Sequence, residues 1–163
     1  EGLARRKFWR DVFRPERVVA ENSDEVIRQD FEALLERHMR LEPEQGSVAF
    51  VGAGPGDPEL LTLKARRLIH EAEVIIYDRL VGKGVLELAR REAKFIDVGK
   101  KGFDAHVTQD VINEHLVREA QAGLKVVRLK GGDPSVFGRL DEELEALSEY
   151  GIESSVVPGI TSA

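Results

Sequence analysis

The chain has 163 residues, 42% of them hydrophobic, and its 24 Lys and Arg against 30 Asp and Glu give a net charge of -6. No apolar run approaches the roughly 20 residues that a membrane-spanning helix needs, and the acidic balance disfavours a nucleic-acid surface that binds phosphates. The absence of cysteine excludes disulfides, thiolate catalysis and cysteine-ligated metals. Since no apolar signal core follows the basic N-terminal residues, we predict a cytoplasmic protein.

The sequence pattern of 1–45 predicts helical structure, and the segment ends in a polar linker that contains proline and glycine. Apolar residues recur at spacings of three and four from Val26 to His38, after an N-cap at Ser23-Asp24, which predicts an amphipathic helix of about four turns. Such a helix must bury its apolar stripe against another element. We therefore interpret 1–45 as the end of a preceding helical domain or as a dimer contact. The alternative is a helical extension that packs on the domain that follows.

The remainder, 46–163, alternates short apolar runs with helical patterns. The predicted strands are 48–51, 74–77, 95–98, 125–129 and 154–157. The predicted helices are 60–72, 83–92, 108–122 and 136–149. Five strands alternating with helices are typical of parallel βαβ units, so the predicted fold class is α/β. Because the sequence ends just after the fifth strand, we expect a truncated domain of which this is the N-terminal half.

The informative residues all follow predicted strands, at the edge of a parallel sheet where ligands bind. The loops concerned are 52–58, 78–79, 99–102, 130–134 and 158–161. Connections at the opposite edge carry ordinary surface residues. We therefore place the function at one edge of the sheet.

The first glycine loop does not fit the phosphate-binding motifs. Asp57 stands where a dinucleotide fingerprint that begins at Gly52 has its third glycine, Pro55 interrupts the turn, and the P-loop Lys-Ser/Thr pair is missing. Asp57 and Asp133 each precede a proline, which predicts an N-cap whose carboxylate occupies the place of a phosphate. Such loops suit a ligand with its own positive charge, such as S-adenosylmethionine; the alternative is that both carboxylates only cap helices.

Four motifs in order resemble the uroporphyrinogen-III C-methyltransferases of the tetrapyrrole methylase family. They are VGAGPGD (51–57), YDRLV (77–81), VRLKGGDP with VFGR (127–134 and 136–139) and VPGITSA (157–163). Together they extend over 46–163. Residues 1–45 resemble, more weakly, the end of the helical dimerisation region of multifunctional sirohaem synthases.

The resemblance implies a reaction and a set of site residues. S-adenosyl-L-methionine would be the methyl donor, and uroporphyrinogen III would be methylated twice to precorrin-2 in sirohaem biosynthesis, by a cytoplasmic homodimer. Asp78 matches the proton acceptor of the family and Lys100 its proton donor, while Arg139 and Glu142 match residues that face the substrate. The positions that match cofactor contacts are Pro55, Gly131, Gly132, Asp133, Val136, Thr161 and Ser162.

The resemblance also implies what this sequence lacks. NAD would belong only to an N-terminal dehydrogenase and ferrochelatase domain, which is absent here. Other cofactor contacts of the family fall beyond residue 163, so we expect this piece to be inactive by itself. Alternative functions are methylation of another tetrapyrrole or corrin and a non-enzymatic nucleotide-sensing module.

From the residues alone, several roles stay open. Asp78 could be a general base, a ribose ligand or a turn residue. Lys100 and Lys101 could donate a proton, bind a carboxylate or remain solvated. Cations at the active edge would be needed for a substrate with many carboxylates; the candidates are Arg79, Lys100, Lys101, Lys130 and Arg139. No histidine spacing predicts a metal site, and only His106 is placed where it could approach a substrate.

Overall fold

The computed structural model describes residues 28, 31–33, 35–36, 45–99, 108–136 and 138–162. The chain divides into two compact units, Glu1–Pro43 and Glu44–Ala163. In the first unit every described residue is helical, in agreement with the helix predicted there. Within the described residues, we find no helix with the length and apolar character needed to cross a membrane.

The described part of the second unit contains one sheet of five parallel strands. They are β1 (Ser47–Gly52), β2 (Val74–Tyr77), β3 (Lys94–Asp97), β4 (Lys125–Lys130) and β5 (Glu153–Val157). The strand order is β3-β2-β4-β1-β5, and every pair is parallel. The predicted α/β class is therefore confirmed, and each predicted strand end lies within one residue of the observed end.

Helices cover both faces of this sheet. Those of the described second unit are α1 (Leu63–Glu71), α2 (Lys83–Leu86), α3 (Gln109–Gln121) and α4 (Leu140–Glu149). Residues of α1 and α2 pack with Ala49 and Val51 of β1 on one face, and residues of α3 and α4 pack with Val48 and Phe50 on the other. The chain moves outward from β1 to β3 and then returns to β4, so right-handed crossovers place the two pairs of helices on opposite faces.

Three helix boundaries differ from the prediction. The segment predicted as a helix from residue 60 begins with a short 3-10 helix, Pro58–Leu60, capped by Asp57. The α-helix starts only at Leu63, because the Thr62 side chain accepts a hydrogen bond from the Ala65 backbone N–H. The helix predicted at 83–92 ends at Leu86, after which hydrogen bonds such as Leu88 N to the Val85 carbonyl close tighter turns.

The third difference concerns the helix predicted at 136–149 and Asp133, which we expected to be a helix N-cap before Pro134. Its carboxylate instead accepts from the backbone and the hydroxyl of Ser135 within a turn. The helix α4 begins at Leu140, and Arg139 at its N-cap has a left-handed backbone, φ 50°. The predicted N-cap is therefore confirmed for Asp57, which caps a short 3-10 helix with Pro58 at its start, and is wrong for Asp133, whose carboxylate accepts from Ser135 within a turn.

Candidate active site

Three glycine loops that are far apart in sequence meet at the carboxyl edge of the sheet, because β4, β1 and β5 are neighbours. Gly54 and Gly132 form an antiparallel bridge, with N–O distances of 3.1 and 2.9 Å. The Gly159 backbone N–H donates to Oδ2 of Asp133 at 3.0 Å. The loops after β1, β4 and β5 thus form one connected surface, as their place in the sequence predicted.

Close packing of backbone explains the glycines of this surface. A Cβ atom on Gly52 would lie 2.5 Å from the Gly159 nitrogen and 2.6 Å from the Gly132 carbonyl oxygen. Gly132 has φ +67°, and a Cβ there would lie 3.2 Å from Oγ1 of Thr161. A Cβ on Gly131 would meet Leu80. The absence of a side chain at Gly131 and Gly132 therefore lets the loops approach one another.

Asp133 joins two of these loops. Its Oδ1 accepts from the backbone N–H and hydroxyl of Ser135, while its Oδ2 accepts from Gly159. The Ser135 hydrogen bond, aided by the backbone N–H groups of Gly159 and Ser135, holds the pKa of Asp133 below its usual value against the opposing effect of burial. The residue is therefore held as a carboxylate that fixes the shape of the loop surface.

Asp78, the proposed proton acceptor, follows β2 at the same edge. Its Oδ1 accepts from the Leu80 backbone N–H at 3.0 Å, and its Oδ2 lies 3.9 Å from Nη1 of Arg128. The side chain is 28% exposed. Because each oxygen has its own neighbour, the carboxylate has a defined orientation while part of it stays accessible to a substrate.

Beneath this edge lies a buried charge cluster formed by Arg128 and Lys130 of β4 and Glu143 of α4. Arg128 Nε donates to Glu143 Oε1 at 3.1 Å, and Lys130 Nζ pairs with the other oxygen of Glu143 and donates to the Gly138 carbonyl. Burial lowers the pKa of Lys130, although Glu143 acts to raise it. Lys130 was expected among the cations that face a substrate. That expectation is wrong, because alternation along β4 directs Arg128 and Lys130 inward, toward Phe50 and α4.

The two residues expected to face the substrate lie together at the start of α4. Nε of Arg139 is 3.5 Å from Oε1 of Glu142, and both side chains are exposed. The carbonyl just before Arg139 is the one that Lys130 binds, so the buried cluster also supports this turn.

The structure describes all but one of the predicted site residues. Val136 closes the Asp133 turn, with its N–H 3.2 Å from the Asp133 carbonyl, while Pro55 and Ser162 are exposed in the first and last loops. Lys100 lies outside the described residues, as do Lys101 and His106. Within the described ranges, no cluster of three or more His, Asp or Glu residues could hold a metal ion.

Sequence reasoning missed Arg128 and Glu143. The available signal was a charged residue inside the apolar run Val126 to Leu129, since a buried charge requires a partner. The identity of that partner depends on how α4 packs on β4, which the sequence pattern did not reveal.

Comparison with curated proteins finds sirohaem synthases over nearly the whole chain. The similarity to the sirohaem synthase of Pseudomonas fluorescens strain SBW25 is 50% identity over 98% of this chain and 34% of the relative. For the sirohaem synthase of Thiobacillus denitrificans it is 47% identity over the same shares. The chain thus spans about a third of the length of these relatives.

Solved structures agree with the fold. Uroporphyrin-III C-methyl transferase from Thermus thermophilus, complexed with S-adenyl homocysteine, matches with a TM-score of 0.63 and 55% identity over 72% of this chain and 49% of that chain. A cobalt precorrin-4 methyltransferase matches with a TM-score of 0.63 and 29% identity, over 71% of this chain and 46% of that chain. The family model described as Tetrapyrrole (Corrin/Porphyrin) Methylases matches residues 47–163. The resemblance noted from the motifs is confirmed, and the chain belongs to the tetrapyrrole methylase family.

Proposed function

We propose that 46–163 is the first half of a methyltransferase domain that uses S-adenosyl-L-methionine to methylate uroporphyrinogen III, giving precorrin-2 for sirohaem biosynthesis. The observation that carries the proposal is the joining of the three glycine loops by the Gly54–Gly132 bridge and the Asp133–Gly159 hydrogen bond. The likeness to a uroporphyrin-III C-methyl transferase that holds S-adenyl homocysteine supports it.

The loop surface suits a nucleoside that carries positive charge. The carboxylate of Asp133 is fixed on this surface, and Asp57 lies exposed in the first loop with its side chain on the Glu59 backbone N–H. Two carboxylates would repel a pyrophosphate and attract an ammonium or sulfonium centre. We assign the cofactor contacts to the loop residues predicted from the motifs: Pro55, Gly131, Gly132, Asp133, Val136, Thr161 and Ser162.

Asp78 is the proposed base. When bound, the donor would supply a methyl group on a positively charged sulfur, which passes to a substituted pyrrole carbon as the S–C bond breaks; since that carbon carries no hydrogen, the macrocycle then loses a proton from another of its atoms. Asp78 would accept this proton, because its carboxylate is accessible and oriented by Leu80 and Arg128. Lys100 is the proposed proton donor because it matches the donor position of the family that the sequence resembles.

Exposed cations at the same edge would receive the substrate. A tetrapyrrole with many carboxylates requires local positive charge on a protein whose net charge is -6. Arg139, beside Glu142, and Arg79, whose stem lies against Gly99, are exposed near the loop surface. The two arginines would bind carboxylates, and Glu142 would hold Arg139 in place.

For the whole protein, the proposal follows its relatives. We infer a multifunctional, cytoplasmic homodimer in which 1–45 is the end of the dimerisation region and NAD binds a separate domain. The sirohaem synthase relatives, matched over both units of this chain, support that arrangement.

The test is a methylation assay on the full-length protein with labelled S-adenosylmethionine and uroporphyrinogen III. We expect precorrin-2 that carries two labelled methyl groups. If uroporphyrinogen III is not methylated but a different corrin offered in its place is, the result would favour the related methylases, to which the fold is also similar. Donor binding without methylation of any tetrapyrrole would contradict the enzymatic proposal and favour a sensing module.

A further inference from the structure

Asp78 has a neighbour at each of its carboxylate oxygens, and the two neighbours belong to different parts of the chain. The Leu80 backbone N–H of its own loop binds Oδ1, and the guanidinium of Arg128, on the neighbouring strand β4, faces Oδ2 at 3.9 Å. The first contact is local and leaves the carboxylate free to rotate about the bonded oxygen. The second contact is an electrostatic attraction at a distance longer than a hydrogen bond, and it favours the rotation that turns Oδ2 toward Arg128.

Arg128 is itself held rigidly. Its Nη1 donates to the Leu129 carbonyl at 2.9 Å and its Nε donates to Glu143 at 3.1 Å. The exposed fractions of the Arg128 and Glu143 side chains are 6% and 1%. A planar guanidinium bound at two points in a buried site has little freedom to move. The charge that faces Asp78 is therefore fixed by the packing of α4 on β4.

Stability alone does not explain why these charges are buried. Replacing a buried ion pair by packed apolar side chains is often neutral or stabilising, because burial removes both charges from water. In this cluster the charges also reach outward, toward the partly exposed Asp78 through Arg128 and toward the turn before Arg139 through Lys130. Both contacts end at residues of the candidate active site.

We infer that Arg128, fixed by Glu143, is a positioning residue that orients the Asp78 carboxylate for proton transfer. This inference rests on the proposed function and adds the means by which the base is oriented. Arg128 itself need not touch the substrate or the methyl donor.

A double-mutant cycle in the full-length protein tests this role. The single-turnover rate of methyl transfer is measured for wild type, Arg128→Met, Asp78→Asn and the double variant, together with the affinity for S-adenosylhomocysteine. We expect Arg128→Met to lower the rate by up to about 100-fold, because a small misplacement of a catalytic group is costly, and to leave the affinity unchanged. In the Asp78→Asn background the same substitution should lower the rate no further.

Arg118→Met is the matched control. Arg118 also pairs with a buried carboxylate, that of Glu119, but it contacts neither Asp78 nor the loop surface in the described structure. We expect its methyl-transfer rate to equal that of the wild type. If Arg128→Met does not fold, Arg128→Lys takes its place in the cycle. Lysine keeps a cation beside Glu143 but cannot make the two hydrogen bonds, to Glu143 and to the Leu129 carbonyl, that fix the guanidinium.

The outcomes separate this inference from the function on which it rests. Without methylation by the wild type, the proposed function fails. If the wild type is active, three results would overturn the positioning role alone. Arg128→Met could lower the rate equally with and without Asp78, it could lower the rate in neither background, or Asp78→Asn could keep full activity. A loss seen only when Asp78 is present would support it.

Discussion

The two ends of the sheet each carry a cluster in which one buried glutamate binds two cations. At the carboxyl end the members are Arg128, Lys130 and Glu143; at the amino end they are Lys94, Arg118 and Glu119. The cations of the first cluster are only 6% and 5% exposed, whereas both cations of the second are 55% exposed. The same set of charges is thus sealed from water at one end and open to it at the other.

This difference in exposure predicts how much stability each cluster loses when its glutamate is removed. Cations that reach water can be solvated again when their partner is removed, so exposed ion pairs contribute little to stability. Cations that are buried beneath a helix cannot be solvated again, so the loss of their partner leaves an uncompensated buried charge. The carboxyl-end cluster therefore tolerates little change, and it is also the cluster that reaches the candidate site.

The largest effect should come from Glu143→Leu, which leaves Arg128 and Lys130 buried without their shared carboxylate. We expect a loss of about 3–5 kcal/mol in the free energy of unfolding, measured by urea denaturation of the full-length protein. Glu119→Leu is the counterpart at the amino end, and it should cost clearly less because Lys94 and Arg118 remain solvated. Equal losses in the two variants would contradict the distinction between the clusters.

Gly132→Val should give the next largest effect. Gly132 has φ +67°, and a side chain there would press on Thr161, so we expect about 1–3 kcal/mol of strain and the loss of S-adenosylhomocysteine binding. Gly151 offers a matched control at the other end of the sheet, with φ +65° and open space around a Cβ atom. Gly151→Val should suffer similar backbone strain and keep its affinity in calorimetric titration. Retained affinity in Gly132→Val would show that the loop is only a turn.

Acid should loosen the loop that Asp133 joins. The folded pKa of Asp133 lies below the ordinary value of 3.8, so its stabilising contribution is complete above that value and is lost as the pH falls through the folded pKa. Asp133→Asn should therefore show a shallower loss of stability on acidification below pH 3.8 than the wild type. Unfolding measured across that pH range checks this, and identical slopes would count against it.

The same acid titration includes a second group, at the amino end. Burial alone would raise the pKa of Glu119, but hydrogen bonds from Lys94 and Arg118 hold it below its ordinary value. Glu119→Gln should thus also flatten the acid dependence of stability, but without any effect on S-adenosylhomocysteine affinity. Acid titrations of both variants therefore distinguish the contribution of the Asp133 loop from that of other carboxylates to the acid dependence of stability.

The smallest effect is expected for Lys94→Ala. Its ammonium is half exposed, and Arg118 still pairs with Glu119 after its removal. We expect a change of less than about 1 kcal/mol in stability and an unchanged methylation rate. A larger loss would mean that the amino-end cluster is as sensitive as the buried one.

The sequence predicted correctly those features whose signal lies within a few neighbouring residues. The strand runs and the glycine loops carry their own patterns, so strand ends and the converging edge were predicted correctly. The starts of α1 and α4 were not, because an aspartate before proline can cap a 3-10 helix or close a tight turn, and Thr62 is the cap of α1. The pairing of Arg128 with Glu143 joins residues 15 positions apart through tertiary packing, which no local pattern encodes.

The most direct test of the central proposal is calorimetric titration of the full-length protein with S-adenosylmethionine and, separately, with pyrophosphate. We expect saturable binding of S-adenosylmethionine that Gly132→Val abolishes and Gly151→Val preserves, with no binding of pyrophosphate at the same site. Binding of pyrophosphate that Gly132→Val removes, without binding of S-adenosylmethionine, would contradict the proposal.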